Sequence, residues 1–223
     1  MKLRQEWMTD KDYFGENYPN NRLLQDAIHR FEVQKQSMEG RDALIDGVQE
    51  RVVVQNHTNP LNQAKYDKKI SFDMDSKVHS GSVLEFDDKI WLLISKIFDK
   101  YAYKVGSVKE CNASIFIQTG ETEIFIGTDP MGRDVYEKHP TYTTYHCVVD
   151  SKIQNPYDNL NAAINLPEGQ IAVMMPYNEI VKDDTNFELW GYQFKVIGVS
   201  LQYVVNNEGP MVLTAQRVTG DAK

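Results

Sequence analysis

The sequence predicts a mainly β protein: a small β-barrel carrying an N-terminal arm and one amphipathic helix, followed by a second β-rich module. Three observations predict it. The stretch Gly81–Phe98 reads as two strands joined by a tight Asp87-Asp88 turn. Val83 and Glu85 alternate with Leu84 and Phe86 in the first strand, and the second, Ile90–Ile94, is apolar almost throughout. A short apolar run rich in Ile and Trp and closed by a turn signal is the pattern of a strand buried on both faces. A looser copy recurs at Phe187–Val199, where aligning Phe86 with Leu189 places Trp91 on Phe194, Leu93 on Val196 and Ile94 on Ile197. Third, a single segment, from about Arg22 to Met38, has a convincing helical period.

The elements follow in order. Residues 1–19 are polar and aromatic (Trp7, Met8, Tyr13, Phe14, Tyr18), with Gly15 and Pro19 breaking any long helix. They read as an extended arm or short helical turn, packed on its own domain or on a neighbouring subunit. Asn20 or Asn21 can cap the helix, Leu24, Ala27, Ile28 and Phe31 form its apolar stripe, and Gly40 suits its C-terminal cap. One such helix cannot bury its face alone and should cover a sheet. From Gly47 the period switches to two. Val48, Val52 and Val54 lie among polar residues, and Arg51–Gln55 is a strand. Asn56–Asp67 is a polar loop, and Lys69–Met74 is a strand with Ile70, Phe72 and Met74 facing one way. With the Gly81–Phe98 hairpin and Tyr101–Val108 this makes five strands, enough for a small barrel.

In the second half, Ser114–Gln118 and Glu123–Gly127 read as a hairpin through Thr119-Gly120, with Ile115, Ile117, Ile124 and Ile126 on the core face. Asp129–Asp134 is a turn-rich tip, Tyr136–His146 an aromatic, Thr-rich stretch and Val148–Ile153 a short strand. Asn155–Gly169 is loop, and Gln170–Met175 and Met211–Val218 are strands. The predicted domains are 1–45 (arm and helix), 46–112 (barrel) and 113–223 (second module), with a linker near Glu110–Ser114. The repeated hairpin leaves three arrangements open: two related modules, two unrelated β units, or one continuous domain.

Composition narrows the function. A net charge of −8 argues against a broad nucleic-acid footprint, which needs clustered Lys and Arg. The opening Met1–Trp7 has no apolar signal region, and no apolar run approaches the ~20 residues that span a bilayer. Cys111 and Cys147 have no metal-ligand or redox spacing, so reduced thiols are expected. The carboxylate pairs Asp73/Asp75, Asp87/Asp88 and Asp183/Asp184 fall at turns or strand ends, where Asp serves the backbone. Asp73-x-Asp75 could begin a calcium loop but lacks the required Gly. None of His29, His57, His79, His139 and His146 sits in a metal motif. A nucleophilic Cys147 with His146 or His139 and Asp150 lacks any surrounding signature, as does a zinc site from Cys111, Cys147 and a His. Asp129-Pro-Met-Gly is not a phosphate loop. Tyr136, Tyr142, Tyr145 and Tyr157 could stack on sugars or bases, but aromatics alternating with Thr are ordinary strand residues. No catalytic, cofactor or metal residues are therefore assigned, and the protein is expected not to be an enzyme.

Residues 1–112 resemble a recurrent protein of tailed phages and prophages of Gram-positive bacteria. The resemblance rests on Leu3-Arg-Gln-Glu-Trp-Met8, Tyr18-Pro-Asn-Asn-Arg-Leu-Leu24, Arg41-Asp-Ala-Leu-Ile-Asp-Gly47, Val53-Val-Gln-Asn-His-Thr-Asn-Pro60 and Phe86-Asp-Asp-Lys-Ile-Trp-Leu92. That group is similar to head–tail connector proteins, meaning head-closure (stopper) or adaptor proteins. The resemblance implies a virion structural protein without cofactor, made in the host cytoplasm. It would form a homo-oligomeric ring at the neck, between portal or adaptor on the head side and tail proteins on the other. Its inward loops would help to retain DNA that passes without sequence-specific contact. The alternative is a tail or baseplate module, structural or carbohydrate-binding, suggested by the Tyr-rich second half.

Overall fold

The structure, a computed structural model, describes residues 19–56, 67–153 and 164–218. The arm expected before Pro19, nearly all of the 56–67 loop with His57, and Tyr157 lie outside the described residues.

Helix α1 runs from Pro19 to Gln36, starting earlier than the expected Asn cap because proline, lacking an N–H, is well suited to the first turn. Its anchor is Phe31, 2% exposed, stacked on Tyr103 with ring centroids 4.9 Å apart. The predicted stripe is covered at that end alone: Leu24 and Ala27 are half-buried and Ile28 is exposed. Lys35 donates to both carboxylate oxygens of Asp73, at 2.8 and 3.0 Å, and bridges Glu32 at 2.8 Å. Arg51 Nε donates to the Lys35 carbonyl at 2.7 Å and so caps the helix end. Gly40 is not a left-handed cap. A Cβ there would collide with the Lys35 carbonyl oxygen, so glycine is needed for close approach of the chain to the last turn.

The first unit, Met1–Lys109, holds β1 (Gly40–Ile45), β2 (Val48–Gln55), β3 (Lys68–Phe72), β4 (Val83–Phe86), β5 (Lys89–Leu93) and β6 (Phe98–Asp99). The seventh strand, β7 (Lys104–Glu110), runs to the boundary with the second unit. Six of these close into a ring in the order β3-β2-β1-β4-β5-β7, with β3 pairing β7; β6 pairs the start of β7. The sixth ring strand, β1, falls where the sequence suggested arm and helix. Its signal was Asp46-Gly47: both residues have positive φ, 48° and 85°, the tight hairpin turn that Asp-Gly favours. Ala43 and Ile45 of β1 point into the core, and Leu44 points out. Helix α1 packs on β1 and β2, which buries Val53 beside Val52 and leaves Val48 exposed. Strand β3 stops at Phe72. Asp73 turns the chain, accepting from Ser76 N at 3.2 Å, so Met74 is exposed instead of sharing the Ile70–Phe72 face.

The Gly81–Phe98 reading holds closely. Asp87 and Asp88 form the two-residue turn at φ 52° and 59°. Leu84, Phe86, Trp91 and Leu93 enter the core, and Leu92 and Ile94 are also buried, so this strand is covered on both faces.

The second unit, Glu110–Lys223, holds β8 (Ala113–Thr128), β9 (Asp134–Asp150), a small pair β10 (Lys152–Ile153) and β11 (Ile164–Asn165), β12 (Gln170–Pro176), β13 (Asn186–Leu189), β14 (Tyr192–Ser200) and β15 (Pro210–Arg217). It too closes a six-strand barrel, in the order β12-β15-β14-β13-β8-β9. Numbered along the chain within each unit, ring strands follow the same circuit in both: first, second, third, sixth, fifth, fourth. The repeated hairpin is the fourth and fifth strand of each. Its predicted alignment matches the register: Leu189 and Phe194 are buried like Phe86 and Trp91, and Val196 like Leu93. Ile197 departs from Ile94 and is exposed, because a bulge between Val196 and Gly198 turns it out.

The predicted Thr119-Gly120 hairpin is not formed. Strand β8 runs straight through with a bulge between Gln118 and Gly120 and pairs along its whole length with β9. Ile115 and Ile117 are core residues, but Ile124 and Ile126 are exposed, because the ribbon has left the barrel by then.

Trp91 is 4% exposed, stacks flat on Phe86 at 5.0 Å and lies under Lys89 Nζ at 5.9 Å. Trp91→Ala should destabilise the first unit by about 3–5 kcal/mol in denaturant titration. A loss well under 1 kcal/mol would mean that Trp91 is not a core residue.

Candidate functional site

The groups weighed for chemistry are dispersed. Asp87 pairs Arg41 Nε, Asp184 pairs Lys195 at 2.8 Å, and Asp73 holds Lys35, so one member of each carboxylate pair serves a local ion pair. His29 is exposed on α1. His79 Nδ1 meets the Ser80 carbonyl at 3.0 Å, with Asp46 3.7 Å from Nε2. His139 lies 3.6 Å from Glu137 on the exposed ribbon. His146 Nδ1 meets Ser114 Oγ at 2.9 Å, from the directly opposite position on β8.

Cys147 follows His146 on a strand, so the two side chains face opposite ways. Its thiol lies in the barrel core, donating to the Ala113 carbonyl at 3.5 Å. Burial, with a smaller contribution from Cys111, pushes the Cys147 thiol up to about 12. Burial and then the neighbouring Glu110 carboxylate do the same to Cys111. Nucleophilic attack needs a thiolate, and neither cysteine supplies one at neutral pH. Among the described residues no three His, Cys, Asp or Glu side chains gather to hold a metal. Iodoacetamide at pH 8 should leave Cys147 of the folded protein unmodified and label it on unfolding. Rapid labelling of the native protein would place the thiol outside the core.

The feature that departs from plain barrel architecture is the β8–β9 ribbon. Its base belongs to the ring, where Phe116 faces Glu188 of β13 and Val148–Asp150 face β12. Beyond Gln118 and Tyr142 its two strands pair with each other and reach the Asp129–Arg133 tip, about 25–30 Å farther at strand spacing. Phe125 and Tyr136 pack edge to face at 5.7 Å. Thr119 bonds Thr143 and Thr122 bonds Thr141 through their hydroxyls at 2.9 and 3.0 Å. Lys138 sits 3.4 Å from Glu121 and 4.0 Å from Glu123. Apolar groups nevertheless remain in water, with Ile126 59% and Met131 81% exposed. Of the tyrosines expected to be available, Tyr136 and Tyr142 are exposed on this arm. Tyr145 is half-buried against the barrel core, its hydroxyl accepting from Asn178.

Asp129 builds the tip. Its carboxylate accepts from Met131 N, Arg133 N and Arg133 Nε at 2.8, 2.9 and 2.9 Å. The Arg133 backbone N–H above all, against a small opposing cost of desolvation, holds its carboxyl below the ordinary value of 3.8. The tip is therefore fully held above that ordinary value and loosens as pH falls through the lower, folded one. Asp129→Ala should abolish hydrogen-exchange protection of the Met131 and Arg133 amides at neutral pH. Unchanged protection would show that another group holds the turn.

A second feature is the Trp190-Gly191 turn at the other end of β8's ring neighbour, β13. Trp190 has φ 53° and is 62% exposed, while Arg217 stacks on Tyr192, 3.6 Å from the ring centroid. Nothing in the apolar pattern announced it, although a Trp-Gly turn closing a β-hairpin was visible.

Comparison with known proteins agrees with this two-unit build. The YomX N-terminal domain model matches residues 13–110 and the YomX C-terminal domain model residues 113–216, together most of the chain. The SPbeta prophage-derived protein YomX of Bacillus subtilis (strain 168) is 26% identical over 207 residues, covering 91% of this chain and 94% of that protein. With both domain models matched in order, the chain belongs to the YomX family and is a phage-derived protein.

Proposed function

We propose that the protein is a structural component of a tailed-phage particle, a subunit of the head–tail connector ring that joins portal to tail and helps retain DNA. The observation that carries this reading is the projecting β8–β9 arm on a closed barrel: a rigid body with a long, partly apolar extension is what an assembly subunit needs. The phage-derived family and the connector-like sequence of the first half support it. A net charge of −8 suits a conduit that must not grip the moving duplex. In this reading the subunits contact portal or adaptor protein on one side and tail protein on the other.

The exposed Trp190 and Tyr142 favour a second reading, a tail or baseplate module that binds cell-wall carbohydrate by ring stacking. Electron microscopy of particles carrying a labelled copy separates the two. The connector reading expects label at the neck, and particles lacking the protein should be tailless heads that leak DNA. Label at the tail tip, with polysaccharide binding lost on Trp190→Ala or Tyr142→Ala, would overturn it, as would absence of the protein from particles.

A further inference from the structure

The arm is the part of the second barrel that ring closure does not use. In the first barrel the corresponding hairpin, β1–β2, ends at Asp46-Gly47 and the same circuit closes without an extension. A two-stranded ribbon with both faces in water is marginal on its own. Here it also exposes Ile124, Phe125, Ile126, Met131 and Tyr136. Such a segment gains stability when something covers it.

The open surfaces of the arm indicate what that cover is. Each ring strand has a neighbour on both sides, so the barrels themselves offer no long free edge among the described residues. The outer sides of β8 and β9 along the arm are free, and Pro140 in β9 fits a strand with one open side. The charges are already matched within the arm, Lys138 against Glu121 and Glu123 and Arg133 against Asp129, which leaves no field to select a charged polymer. What remains is an apolar, hydrogen-bonding edge, and the surface in this protein with matching edges is another arm. Charge sets the direction. Beyond Gln118, β8 carries Glu121 and Glu123 and no cation, while β9 carries Lys138 and His139. Two β8 edges would oppose glutamates, whereas β9 against a neighbouring β8 brings Lys138 to them.

We propose that the arm docks on the arm of a second copy of this chain, β9 of one copy against β8 of the next, along the part beyond Pro140. The contact is head-to-tail and repeats from copy to copy until the rotation closes a ring. This deepens the connector-ring reading and rests on it.

Sedimentation velocity of the full chain across a concentration series tests it. The full chain should form a closed multimer. Phe125→Glu should raise the subunit dissociation constant about 30-fold or more, as loss of an aromatic hot spot does. A chain with 119–141 replaced by Asn-Gly should be monomeric. Glu121→Lys/Glu123→Lys chains and Lys138→Glu chains should each fail to assemble alone but assemble when mixed, since only the contact between copies is then restored. Assembly of Phe125→Glu or of the shortened chain as tight as that of the full chain would overturn the arm contact and leave the ring reading standing. Failure of the mixture to assemble would overturn the head-to-tail direction. A full chain that stays monomeric at every concentration and forms no ring in particles would remove the ring reading, and the arm contact with it.

Discussion

The pairing of the third ring strand with the sixth is the constraint on which each barrel depends. In the first unit it joins Lys68–Phe72 to Lys104–Val108, and in the second Gln170–Pro176 to Pro210–Gln216. Every other ring contact described between strands adjacent in the chain is a hairpin or short connection, favourable locally whatever the global fold. The third–sixth contact instead spans the whole fourth–fifth hairpin and brings it into the wall. Its closure leaves Ile70, Phe72 and Val108 in one core, and Val173, Met175, Met211 and Leu213 in the other, with essentially no exposure. Closing a sheet also removes the free edges that would otherwise pair with any passing strand.

This dependence explains which parts of the fold were legible. The hairpins at 83–93 and 186–200 were readable because their information is local: a period-two apolar pattern on either side of a two-residue turn. The alignment of the two hairpins even captured the register, failing at Ile197, where a bulge in pairing with β15 decides the facing. Strand β1 was missed although Asp46-Gly47 marked its end, because Ala43 and Ile45 are too few apolar positions to outweigh the polar residues between them. The common circuit of the two barrels was not legible at all, because it is a property of long-range pairing that no apolar pattern encodes.

The arm shows the same limit from the other side. Ile115, Ile117, Ile124 and Ile126 look alike as a pattern, yet the first two are core and the last two lie in water. Alternation reports that a segment is a strand and nothing about what lies against it. What lies against it depends on where the neighbours stop: β13 reaches β8 at Phe116, and β12 reaches β9 at Val148–Asp150. The Thr119-Gly120 dipeptide, read as a turn, is instead a bulge that lets the ribbon bend as it leaves the ring. The candidate chemistry was dispersed for a related reason. Neighbours in sequence, such as His146 and Cys147, are sent to opposite faces of a strand.

Two barrels on one plan also make each other's departures interpretable. At the fourth–fifth turn the first barrel carries Asp87-Asp88, short polar residues that tolerate positive φ, and the second carries Trp190-Gly191. A bulky residue in the left-handed region costs about 1 kcal/mol or more, and the large side chain recovers none of it by burial, since Trp190 is 62% exposed. At the first–second turn, Asp46-Gly47 is replaced by the whole arm. Both departures run against what the barrel needs for its own stability, and both place aromatic surface in water. The first barrel shows that the same circuit closes without either. Their retention therefore has to be explained by contacts outside the barrel, which makes the tips of the second unit the place where its specificity resides.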